Sequence, residues 1–135
     1  MQEALFNLIW VALGSAFGGI ARFFLSGFVG RRIGETFPWG TMVVNVTGAF
    51  TAGVIAAAAD MHLLFDAPSA WALAVTGFLG GYTTVSSFSL QTLALAREGD
   101  WLRAGGNVVL SVLLCLGAVT LGFDIGAKLL AGAAL

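Results

Sequence analysis

Charged residues fall along the chain so as to leave four long apolar runs. Residues 4–21 carry no charge, and none lies between Glu35 and Asp60, between Asp66 and Arg97, or between Arg103 and Asp124. A helix crossing a hydrocarbon core of about 30 Å needs roughly 20 apolar residues. The pattern predicts an all-α membrane protein, a single domain over 1–135, with transmembrane helices near 5–29, 39–59, 69–96 and 104–130.

The third run differs from the others. Its 30 uncharged residues, 67–96, would make a helix of about 45 Å at ~1.5 Å per residue. That exceeds the hydrocarbon thickness by roughly half, so tilt, overhang or a break is required. Within it, Gly77 to Ser89 reads GFLGGYTTVSSFS, with three glycines and six hydroxyl side chains in thirteen positions. Glycine disfavours a continuous helix, and Ser and Thr compete for nearby backbone groups. Irregular backbone survives in a membrane only where protein or water satisfies it. Two half-helices meeting near the bilayer centre are expected, with the break inside Gly80–Ser89.

Polar residues inside the other spans form short lines. In the first, Gly14 and Gly18 make a small-xxx-small pair, continued by Arg22 on the same face. Arg22 either snorkels to the near interface or is held inward, where an embedded cation attracts an anion. Pro38 starts the second span, in which Thr41 and Asn45 form one line and Thr47 and Thr51 its neighbour. Asn45 serves either an interhelical hydrogen bond or a donor facing an ion, since an unpartnered carboxamide in hydrocarbon is costly. Pro68 opens the third span. Asn107, Ser111 and Cys115 recur at i+4 in the fourth, a stripe suited equally to packing or to a pore wall. Asp124 and Lys128, also i and i+4, can pair near its end.

Composition agrees with the pattern: 59% of residues are hydrophobic and 10% charged, against roughly 25% charged in an average soluble domain. A net charge of −1 supplies no basic patch, so no nucleic-acid partner is expected. The lone Cys115 has no disulfide or metal-ligand companion, and His62 reads as an ordinary loop residue. With Glu3 and no basic n-region, the first helix reads as a retained anchor rather than a cleaved signal. Arg31, Arg32, Arg97 and Arg103 lie by the odd loops and Lys128 by the other side, which favours cytoplasmic odd loops.

No nucleophile–base pair, metal cluster or phosphate loop is present, so the chain does not read as an enzyme. Proton-coupled cation export usually needs an intramembrane carboxylate. The seven acids lie in the tail, the loops or, for Asp124, near a helix end. The interior offers hydroxyls, the Asn45 amide, backbone N–H groups and Arg22, a lining suited to an anion shedding its hydration shell. Phe88 adds a ring edge of partial positive charge. Unpaired carbonyls at a broken helix suit a hard cation such as sodium. Two other readings stay open: a proton- or cation-coupled small four-helix transporter, and a non-transporting membrane assembly subunit.

Three motifs, GGIAR (Gly18–Arg22), PWGTMVVNVTG (Pro38–Gly48) and GFLGGYTTVSSFS, give the chain a further reading. In their order and spacing over the whole chain it resembles the CrcB/Fluc fluoride channels of bacteria. The resemblance implies passive, fluoride-selective export of cytoplasmic fluoride across the bacterial inner membrane. It implies an antiparallel, dual-topology homodimer in the lipid bilayer, with two pores along the subunit interface. A structural, non-transported sodium ion would lie at the dimer centre, held by backbone carbonyls of Gly80 and Thr83 from each subunit. Asn45 and Arg22 match the family's pore asparagine and first-helix arginine. Phe88, Val85, Thr84, Ser86 and Ser111 complete the expected fluoride pathway. The family's usual TTFSTFS becomes TTVSSFS here, so Val85 offers an apolar wall without a ring edge, and Ser87 keeps the hydroxyl of threonine.

Overall fold

The computed structural model describes residues 2–61 and 67–133; His62 and Asp66 lie outside them. Every regular element among the described residues is helical. Helix α1 spans Gln2–Ile33 and α2 spans Trp39–Asp60. Helix α3 covers 68–82, with α-helical Pro68–Trp71 and Gly80–Tyr82 flanking a π-helical stretch, Ala72–Leu79. Helix α4 spans Val85–Arg97 and α5 spans Trp101–Ala133. Segments Leu5–Ile33, Trp39–Asp60 and Trp101–Gly132 are long and apolar enough to cross a membrane. This is a multi-pass, all-α membrane protein.

Ends of the helices follow local chemistry. α1 carries Arg31 and Arg32 in its last turn, where cations oppose the negative end of the helix dipole. Pro38 stands at the N-cap of α2, one position before the first turn, whereas Pro68 occupies the first turn of α3. The α4–α5 connection is a Schellman turn: Gly99 takes φ +83°, and the Asp100 N–H reaches back to Leu95 O at 3.0 Å. Asp100 then caps α5, its Oδ1 accepting from Arg103 N–H at 3.1 Å and its Oδ2 lying 3.3 Å from Arg103 Nε. Asp124 and Lys128, by contrast, make no ion pair and are both exposed.

Large apolar side chains point outward and small ones inward. Phe23 (74%), Leu102 (88%) and Leu129 (69%) are among many exposed hydrophobics, while the buried set is chiefly Val44, Met42, Ala57, Ala58, Ala72 and Ala104. In lipid, helices gain little by hiding leucine from a solvent that resembles it, so close backbone approach decides the packing. α1 lies along α3, and α2 along α5. A Cβ on Gly14 would strike Leu73 O, and one on Gly18 would strike Phe78 O; from the other side, Gly81 faces the Ser15 backbone. Gly53 and Gly122 seat α2 on α5 in the same way.

Candidate functional site

The helical path stops at Tyr82 and resumes at Val85, with Thr83 (φ −77°, ψ 158°) and Thr84 (φ −151°, ψ 121°) extended. An extended step in an apolar protein leaves backbone groups to be satisfied. Asn45 does this from α2: its Oδ1 accepts from Thr84 N–H at 2.8 Å and its Nδ2 donates to Thr84 O at 2.9 Å. The carboxamide thus pairs with one residue's backbone as a neighbouring strand would. One of the two roles open to Asn45, the interhelical bond, is present in the structure.

Thr84 is also the N-cap of α4. Its buried Oγ1 accepts from Ser87 N–H at 3.1 Å and lies 3.1 Å from Ser86 Oγ and 3.2 Å from Ser87 Oγ. These bonds redirect N–H groups that a continuous helix would have used. Thr84 N–H, the α-helical partner of Gly80 O, goes to Asn45. Ser87 N–H, the partner of Thr83 O, goes to Thr84 Oγ1. The carbonyls of Gly80 and Thr83 are therefore released from the helical ladder, a donor set of neutral oxygens that fits a hard cation. The Thr83 hydroxyl is committed elsewhere, donating to Leu79 O at 2.8 Å.

Two openings flank this step. On one side a polar recess of about 480 Å³ is lined by Arg22, Ser26, Thr41, Thr84, Ser86 and Ser87. A second space of about 450 Å³, which shares Ser26, Thr41 and Ser87 with the first, is also lined by Gln91 and Glu35. Arg22 makes no ion pair with any described carboxylate. On the other side a mainly apolar groove of about 540 Å³ is lined by Asn45, Gly80, Thr83, Val85 and Cys115, among others. Val85 is 76% exposed there.

Of the residues singled out from the sequence, the structure brings Arg22, Thr84 and Ser86 together in the recess. It sets Asn45, Gly80, Thr83 and Val85 along the groove. Phe88 and Ser111 belong to neither lining: Phe88 is half-buried on α4 and Ser111 is buried on α5. Three contacts went unread in the sequence. Thr41 and Ser87 join the recess, Tyr82 Oη lies 2.7 Å from Thr47 Oγ1, and Asn107 Nδ2 donates to Thr92 Oγ1 at 2.8 Å. Thr41, Thr47, Ser87 and Asn107 stand out in the sequence as polar positions within apolar spans, whereas Thr92 lies outside every motif.

Helices of membrane-spanning length around a polar, hydroxyl-rich interruption define a class of small membrane proteins with an interior suited to ions. A family model described as CrcB-like protein, Camphor Resistance (CrcB), matches residues 9–123. The chain is 63% identical over 124 residues to a fluoride-specific ion channel FluC 2 of Rhodopseudomonas palustris, covering 91% of this chain and 95% of that protein. A protein of the same name from Bradyrhizobium diazoefficiens is 59% identical, covering 87% and 86%. A fluoride-specific ion channel FluC of Opitutus terrae is 56% identical, covering 84% and 87%. The chain belongs to the CrcB family.

Proposed function

We propose that the chain is the subunit of a passive fluoride channel that lets cytoplasmic fluoride leave across a bacterial inner membrane. Residues 68–97 make the third of four crossings in two halves, α3 and α4, and two copies assemble antiparallel. The observation that carries this reading is the clamp of Asn45 on Thr84. It holds open an extended step beside a recess lined by Arg22 and hydroxyl side chains, in a chain whose relatives bear the name of fluoride channels.

Fluoride pays a large dehydration cost, which only close donors can offset. The recess supplies the Arg22 guanidinium, the hydroxyls of Ser26, Thr41, Ser86 and Ser87, and the N-terminal end of α4. Unpaired N–H groups and the positive end of the dipole favour an anion there. Phe88 and Ser111 extend the path along the α4–α5 interface, and Val85 forms its apolar wall. Arg22 is the charged side chain lining this recess, with Glu35 in the adjoining space. The recess itself therefore favours an anion and offers no carboxylate for proton-coupled cation exchange.

The released carbonyls of Gly80 and Thr83 sit on the open groove, where a second copy would supply an equal pair. They would hold a structural sodium ion, whose charge neutralises carbonyl dipoles left unpaired between two chains. The test is efflux from liposomes loaded with fluoride or chloride. Rapid fluoride release with chloride retained supports the reading; equal release of both, or none of either, overturns it.

A further inference from the structure

A polar tie between α4 and α5 plays no part in the reading above. Asn107 is 2% exposed and is, with Val44, one of the largest side chains so fully buried. Its Nδ2 donates to Thr92 Oγ1 at 2.8 Å, and Thr92 Oγ1 donates to Phe88 O at 2.7 Å. A hydroxyl has one proton. Thr92 spends it on Phe88 and receives one from Asn107, so the direction of the chain of bonds is fixed from α5 to the Phe88 carbonyl.

This tie carries unusual weight because α4 has little else to hold it. None of its thirteen residues is buried. Its ends are secured by Thr84 at one side and the Gly99 turn at the other. Between them the surfaces that α4 and α5 present to each other share one side-chain hydrogen bond among the described residues, Asn107 to Thr92. Such surfaces slide or rotate at small cost, whereas an orphaned buried carboxamide is expensive. One hydrogen bond in mid-helix therefore selects a register.

The register has a consequence for Phe88. α4 and α5 are antiparallel across a three-residue turn, and a step of four keeps to one face of each helix. One turn back from Thr92 is Phe88, and one turn on from Asn107 is Ser111, itself 9% exposed. A further turn brings the start of α4 level with Cys115, and Val85 and Cys115 do line one groove. Pairing Asn107 with Thr92 thus sets Phe88 opposite Ser111.

We propose that Asn107 is a positioning residue that locks the register of α4 on α5 through Thr92, and so fixes Phe88 against Ser111. The consequence for conduction rests on the channel reading above. The full chain in liposomes tests it, with Asn107→Leu, Thr92→Val, Thr92→Ser and the double variant Asn107→Leu/Thr92→Val. Thr92→Ser keeps the hydroxyl and is expected within about twofold of the parent in fluoride efflux. Thr92→Val and Asn107→Leu are each expected to fall about tenfold, with relative chloride leak rising. The double variant should be no worse than the poorer single, because one bond is lost in each case. Thr92→Val behaving like Thr92→Ser, or losses that multiply in the double variant, would overturn the lock. Should Asn107→Leu not insert, the contrast between the two Thr92 variants decides alone. If the parent conducts no fluoride, the channel reading falls, and hydrogen exchange over residues 85–97 still decides the lock: faster in Thr92→Val than in Thr92→Ser supports it, and equal rates overturn it.

Discussion

Asn45 and Thr84 bond to each other twice, through Oδ1 to N–H at 2.8 Å and through Nδ2 to the carbonyl at 2.9 Å. A side chain of α2 thereby replaces the helical ladder at the one step where residues 68–97 leave it. Asn45→Asp keeps the acceptor but loses the donor, and sets a carboxylate against the Thr84 carbonyl. Fluoride efflux is expected to fall about a hundredfold, or ~3 kcal/mol. Protonating the new carboxyl restores a donor, so efflux should recover as pH falls. A pH series of efflux rates on Asn45→Asp and Asn45→Leu checks this, because Asn45→Leu has nothing to protonate and should show no recovery.

Thr84 caps α4 through its hydroxyl. Thr84→Ser should be nearly neutral, whereas Thr84→Val removes the cap and two further hydroxyl contacts, to Ser86 and Ser87, from a buried site. A loss of ~1–2 kcal/mol is expected, read as a lower Tm in detergent and slower fluoride efflux. Equal Tm values for the two variants would count against the cap.

Arg22 is the one basic side chain lining the recess. Arg22→Gln should lower fluoride efflux about tenfold at low ionic strength and less at high salt, where the Debye length shrinks to about 3 Å at 1 M. Efflux of the variant measured across a salt series, against the parent, gives the comparison. An identical salt dependence in both would place Arg22 outside the path.

The α1–α3 contact leaves no room at Gly18, where a Cβ would meet Phe78 O and the Tyr82 N–H. Gly18→Leu should cost at least ~1–3 kcal/mol by overpacking and reduce the yield of assembled protein on size exclusion. Gly19→Ala is its control, since the nearest atom to a Cβ there is Arg22 Nη2 at 4.0 Å. That variant should match the parent.

A sodium ion on the Gly80 and Thr83 carbonyls predicts that exchanging sodium for a large organic cation lowers Tm and slows efflux. Thr83→Val should leave this response intact, because the Thr83 hydroxyl is bonded to Leu79 O at 2.8 Å and only its backbone is free. A melting temperature indifferent to sodium would remove the ion from the account.

What the sequence by itself determined was the membrane-spanning, helical character, because excluding charge from long runs is a property of composition and order alone. It also marked the region of interruption through its glycines and hydroxyls. It did not determine which residues leave the helix. Gly80 and Gly81 stay helical, since the missing side chain at Gly81 is used for contact with Ser15. Thr83 and Thr84 become extended because Asn45, 39 positions earlier, captures the Thr84 backbone. Asn107 could equally have faced a pore or a neighbour, and only the tertiary structure paired it with Thr92. A hydrogen bond between distant segments is a choice among partners, and the local pattern lists the candidates without ranking them.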